Sequence, residues 1–245
     1  MMRSIRQHML ATTGALAALA GVSFAQSSGP QAEQPFEPSQ AVQRALQASY
    51  LTEAERIELR LFHGLWTPVD MAEARVEARA ALLAGDLSNP ALLSDEADPL
   101  DRAEGMIRRG EIRGGLDVVG DDGSMRALRL RAEAHELLGN LDAVRQAADT
   151  AAARLAARQA ESAEELTEGV RILAIRARTV GLEQGARDYE VMTQLLATAR
   201  ERVDRLYWPA RLAEAKILDA RDNRPQAREA LFETLSLNPR SSQAW

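Results

Sequence analysis

From Met125 onward, apolar residues return every three or four positions, and the three prolines of that stretch stand at the edges of the runs. This period gathers side chains onto one face of an α-helix, and a strand, with its period of two, cannot satisfy it. The run at about 163–181 carries Leu166, Val170, Leu173, Ala177 and Val180. The next, at about 185–206, carries Ala186, Tyr189, Met192, Leu196, Ala199, Val203 and Leu206. Two earlier runs cover about 125–138 and 141–158. Further helices open at Pro209 and Pro225, where a missing N–H costs nothing. Ala, Leu, Arg and Glu dominate the composition, and all favour helix. Runs of Val, Ile and Thr of the kind strands need are absent. The expected fold class is all-α.

The same reading extends upstream. Residues 40–98 form an N-terminal helical region. Ala41, Val42, Ala45 and Leu46 share a face, and Thr52 with Glu55 makes a capping box for a helix carrying Ile57, Leu61 and Leu65. Gly64 ends it. Pro68 sits at the first turn of the next, which runs through Met71, Ala74, Ala78 and Leu82 to Gly85. Residues 85–99, with two prolines, read as a loop. Short helices follow near 99–109 and 111–119, and residues 120–124 read as a turn. At the front, residues 1–25 read as a signal peptide: Arg3 and Arg6, then a short run of small apolar residues, then Ser23-Phe24-Ala25 before a cut at Gln26. Residues 26–39, rich in Pro and Gln, read as a disordered linker. The chain is therefore expected to be exported, to the periplasm, the cell envelope or the medium, with no stable membrane span after cleavage.

Composition narrows the function. The chain contains no cysteine, which removes disulfides, thiolate metal sites and thiol nucleophiles. Its net charge is −6, or −8 once Arg3 and Arg6 leave with the leader, so it lacks the basic excess of a nucleic-acid binder. Lys216 is its single lysine among 30 basic residues, a bias in keeping with arginine- and alanine-rich coding.

The joints between helices resemble one another: Gly110-Glu111-Ile112, Gly139-Asn140-Leu141 and Asp222-Asn223-Arg224. Each places Gly115, Val144 or Ala227 at an offset of five, where a small residue lets two helices cross closely. Leu137 to Val144 is similar to the inter-helix turn of the tetratricopeptide repeat, a unit of about 34 residues. Ala215, Leu218, Ala227, Leu231 and Leu235 fall where that family has packing residues, and Leu237-Asn238-Pro239 looks like its repeat ending. The resemblance covers 99–245 and implies an α-solenoid of antiparallel helix pairs. It departs from the family in the long pair at 163–206 and at Arg131 and Glu214, where the family prefers apolar residues. Trp245 falls at the opening of what looks like another repeat, so the chain is expected to continue.

Signs of catalysis are weak. His135-Glu136 begins like a zinc-protease helix, but Gly139 stands where the second histidine belongs. Asp121 and Asp122 are too few oxygens for calcium and read as a turn and helix cap. No catalytic, metal or cofactor residue is expected. Candidate partner-binding residues are Arg171, Arg176 and Arg178, with Arg187, as an anion-binding line, and Tyr207-Trp208 as an aromatic anchor or else a packed helix joint. The resemblance implies a scaffold that binds a protein or peptide. The alternative is the front of a larger exported enzyme, such as a hydrolase or metallopeptidase, with its catalytic domain beyond Trp245.

Overall fold

Most helices among the described residues start where a side chain or a proline deals with the first unpaired N–H groups. Ser39 Oγ accepts from the Val42 amide at α1 (Gln40–Leu46), and Thr52 and Glu55 complete the capping box at α2 (Glu53–Phe62). Asp98 caps α5 (Pro99–Arg108), Ser124 caps α7 (Met125–Leu137), Asn140 caps α8 (Leu141–Ala156), and Ser162 with Glu165 boxes α9 (Ala163–Thr179). Proline opens α11 (Trp208–Asp219) and α12 (Arg224–Leu237). The remaining helices are α3 (Ala74–Ala84), α4 (Pro90–Leu93), α6 (Ile112–Val119) and α10 (Ala186–Thr198). The computed structural model describes residues 39–67, 70, 73–157, 160, 162–180 and 185–245, and it holds no strand among them. All belong to the unit that begins at Pro35. The expected leader and residues 26–38 of the linker lie outside the described residues, as do Pro68 and Met71. No helix among those described is long and apolar enough to cross a membrane.

One joint recurs. Gly64, Gly85, Gly110, Gly139 and Asp222 all take positive φ just after a helix, Asp222 being the one non-glycine to do so among the described residues. In each case the following amide bonds back to the carbonyl five residues earlier: Leu65 to Arg60, Asp86 to Ala81, Glu111 to Met106, Asn140 to His135 and Asn223 to Leu218, all at 2.8–2.9 Å. This closure satisfies the last carbonyls and turns the chain sharply, so the next helix folds back on the one before. Thus α5 packs with α6, α7 with α8 and α11 with α12; α9 packs with α10 as well. The first members also meet in series, α3 with α5, α5 with α7, α7 with α9 and α9 with α11.

The front of the described chain packs on its end. Val42 of α1 shares a buried cluster with Trp208, Leu212, Leu235, Leu237 and Ala244. The Ser39 amide donates to the Ser236 carbonyl at 2.8 Å, His63 Nδ1 to Leu237 O at 2.8 Å, and Trp208 Nε1 to Phe62 O at 2.6 Å. Arg240 lies over the Trp66 ring, 4.6 Å from its centroid, and donates to the Trp66 carbonyl.

Two expectations need correction. The segment 85–99 is not all loop: Asn89 and Pro90 start the short helix α4, a cap-plus-proline pair easily taken for a turn. The run at 185–206 is not one α-helix. After Thr198 it widens to a π-helical turn at Ala199–Val203, and Leu206 packs beside the Trp208 cluster instead of extending α10.

Candidate functional site

Helices α3, α5, α7, α9 and α11 surround a cleft whose walls carry the most heavily buried charges of the protein. Arg129, on α7, is 1 % exposed. Its three guanidinium nitrogens donate to Glu104 on α5, Glu133 on α7 and Glu168 on α9, each at 2.7 Å. Arg126 joins Asp101 at 2.6 Å and Glu104 at 3.1 Å. Arg79 on α3 also pairs with Asp101. Arg171 joins Glu168 at 3.0 Å and Glu133 at 3.2 Å. Four arginines and four carboxylates thus form one continuous, balanced chain across four helices.

The charges hold one another ionised. Burial pushes the Glu104 carboxyl up, but Arg129, Arg126 and Arg171 outweigh it and hold the group well below 4.5. Glu168 is also lowered: burial opposes its charge, and Arg129 and then Arg171 prevail. Burial likewise opposes the charge of Arg129, and Glu104, Glu133 and Glu168 overcome it. Such a network contributes little net stability over apolar packing, but it leaves the wall few alternative arrangements.

Two adjacent cavities open on this wall. The first, about 80 Å³, has Arg108, Arg171, Tyr207 and Lys216 in its lining and is edged by Ser241 and Gln243 of the C-terminal segment. The second, about 250 Å³, shares Arg171, Ala213 and Lys216 with the first and is floored by Ala174, Ala177, Ile217 and Ala220. Beyond the balanced network, the first cavity carries two further cations, Arg108 and Lys216, and one exposed carboxylate, Glu164. Arg108 donates to the Leu82 carbonyl at 3.2 Å, and Lys216 donates to the Gln243 side-chain oxygen. Lys216 is solvent-exposed, although nearby protein crowds its ammonium. That crowding, then Arg171, and further on Arg108 and Arg129, press its ammonium down to about 8, against the opposing pull of Glu133.

The candidates from sequence separate. Arg171 and Arg178, seven residues apart on α9, both reach the second cavity, where Arg178 is held by Glu136 at 2.6 Å. Arg176 lies five residues from Arg171, about 140° around the helix, and meets Asp149 of α8 at 3.2 Å. Arg187 is exposed on α10, so the four arginines make no single line. Trp208 is only 6 % exposed, and Phe62 lies 5.7 Å from it and 5.5 Å from Tyr207, centroid to centroid. The pair is the packed joint, not an exposed anchor, although both rings also line the first cavity. Burial, and next Glu168, keep the Tyr207 phenol protonated. Arg131, a departure from the repeat pattern, turns outward to the carbonyls of Gly120 and Asp122, both at 2.8 Å. Sequence reasoning missed Arg108, Arg129 and Lys216 as cleft residues. The usable signals were the single lysine and the i, i+4 spacing of Arg129 and Glu133 on one helix. No family model, curated protein or solved structure matches this chain.

Proposed function

We propose that the protein is an exported binding protein of the periplasm or envelope, an α-solenoid of tetratricopeptide-like helix pairs that holds a protein or peptide in its cleft. The observation that carries this reading is the cleft itself. The first helix of each successive pair contributes to its wall, as expected for stacked helix hairpins with a concave binding face. The buried ion pairs support it further, because walls fixed before binding lose less freedom when a partner arrives. The recurrent left-handed joints support the repeat reading, since one closure recurs at Gly85, Gly110, Gly139 and Asp222.

The test is site-specific photocrosslinking in the source cells. A photoreactive residue placed at Ala177, in the cleft, is expected to capture a discrete macromolecular partner. The same residue at Glu229, exposed on α12, is expected to capture none. Absence of a product from the cleft position, with the protein folded and exported, would overturn the reading.

A further inference from the structure

Ammonium and guanidinium groups that share a cleft with carboxylates normally face them, because opposite charges a few ångströms apart attract. Here Arg79, Arg126, Arg129 and Arg171 follow that rule and use up the surrounding acids. Arg108 and Lys216 do not follow it. One donates to a backbone carbonyl and the other to a neutral amide oxygen, and both border the same cavity of about 80 Å³. Glu164, at the exposed edge of the lining, is the one acid there outside the network. An incoming oxyanion would therefore turn two cation-to-neutral-oxygen contacts into ion pairs, adding the attraction between opposite charges to the hydrogen bonds. The cavity has room for a carboxylate, since it exceeds the space several waters need. Beside it, sharing Lys216 and Arg171, the second cavity of about 250 Å³ presents alanine and isoleucine. The chain around the cleft is acidic overall at −6, so this patch stands as a local positive focus.

We infer that the cleft recognises an acidic peptide segment, whose Asp or Glu carboxylate enters between Lys216 and Arg108 while a nearby aliphatic side chain fills the adjoining cavity. This rests on the binding-protein reading and names the chemistry of its partner. In an extended segment, residues two apart share a face, so one strand of peptide can present both groups to the two cavities. The Gln243 side chain is the group displaced. Arg171, common to both cavities, stays committed to Glu133 and Glu168 and forms the rim between them.

The test is calorimetry on the intact protein with the capped pentapeptide acetyl-Leu-Ala-Glu-Ala-Leu-amide and its Gln counterpart. The Glu peptide is expected to bind at least tenfold more tightly than the Gln peptide. Lys216→Met and Arg108→Gln, each checked for folding by circular dichroism, are expected to erase that ratio, and Lys216→Arg to retain most of it. Because Lys216 is the single lysine, reductive methylation with a ¹³C label yields one lysine signal, which must shift with the Glu peptide alone. Equal binding of the two peptides, or no binding of either at millimolar concentration, overturns the inference. So does competition by inorganic phosphate at equal strength, which would mark a general oxyanion site. Crosslinking at Ala177 that persists in Lys216→Met with unchanged yield would sink this inference while leaving the binding-protein reading intact.

Discussion

Replacing Arg129 by Met tests the buried network most directly, because the side chain keeps an unbranched apolar stem and loses its charge. The wild-type guanidinium holds three carboxylates at 2.7 Å. Breaking a buried pair by removing one partner costs about 3–5 kcal/mol. The lower end applies here, since each stranded carboxylate keeps a second arginine: Glu104 keeps Arg126 at 3.1 Å and Glu168 keeps Arg171 at 3.0 Å. Glu133 keeps Arg171 and is about a quarter exposed. The expected loss is about 3 kcal/mol near neutral pH, or a drop in Tm of about 6–12 °C for a chain of this size. The effect must depend on pH. Glu104 and Glu168 have folded pKa values below the unfolded 4.5, so their contribution is complete above 4.5 and fades as pH falls through the folded values. In Arg129→Met those values rise. The gap between wild type and variant should therefore be widest at pH 7 and narrow below about 4.5. Urea unfolding followed by far-ultraviolet circular dichroism at several pH values measures both quantities. A loss under about 1 kcal/mol at pH 7, or a gap that does not change with pH, would refute the claim that this arginine holds the wall ionised.

Three further outcomes follow from the same geometry. Gly115→Ala would place a Cβ 2.6 Å from Ile107 Cγ1 and 3.1 Å from the Ala103 carbonyl, so α5 and α6 must separate; a loss of about 1–3 kcal/mol in chemical unfolding is expected, and a neutral effect would contradict the close crossing. His63 is fully buried, and burial lowers its folded pKa below 6.5 despite the Leu237 carbonyl and Asp204. Below pH 6.5 the unfolded state takes up a proton that the folded state resists, so stability should fall from pH 7 to pH 5, and His63→Phe should flatten that slope. Lys216 faces Arg171 of α9, Arg108 of α5, and Arg129 and Glu133 of α7. Affinity for the Glu peptide should therefore decline as pH rises through about 8, with the Gln peptide unaffected; parallel profiles for the two would exclude an ammonium contact.

The helices were legible because their signals are local. Thr52 with Glu55, Pro209, Pro225 and the left-handed residue after α5, α7 and α11 mark ends that depend on a few neighbouring residues, and α5 to α9, α11 and α12 begin within about two residues of the positions read from sequence. Contacts distant in the chain were not legible. Nothing near His63 announces the Leu237 carbonyl, 174 residues away, and nothing near Trp208 announces Phe62, 146 residues away. The cleft failed for a related reason. Arg126, Arg129 and Glu133 follow the same helical period as the apolar residues of α7, so a charged face turned inward reads like one turned to solvent. Their partners lie on α5 and α9, and only the fold decides which arginine meets which carboxylate. Arg171 and Arg178, seven residues apart, return to one face of α9, whereas Arg176, grouped with them in the sequence reading, turns toward α8.

The network and the cleft also constrain each other. Were all the cleft cations paired with carboxylates, the cavity would be a polar but indifferent space, and the ligand would be chosen by shape alone. Were none paired, repulsion among Arg79, Arg126, Arg129 and Arg171 would open the wall. The four balancing acids come from α5, α7 and α9 and are consumed in fixing those helices, which leaves Arg108 and Lys216 with neutral acceptors at the edge of a rigid surface. Discrimination between Glu and Gln then depends on a contrast of charge and not on induced fit. An acidic exterior would slow the approach of an acidic partner and make its association faster as salt is added, while the final contact inside the cleft, partly shielded from solvent, would weaken less. Opposite salt dependences of the association rate and of the Glu-over-Gln preference are therefore the kinetic signature this arrangement demands.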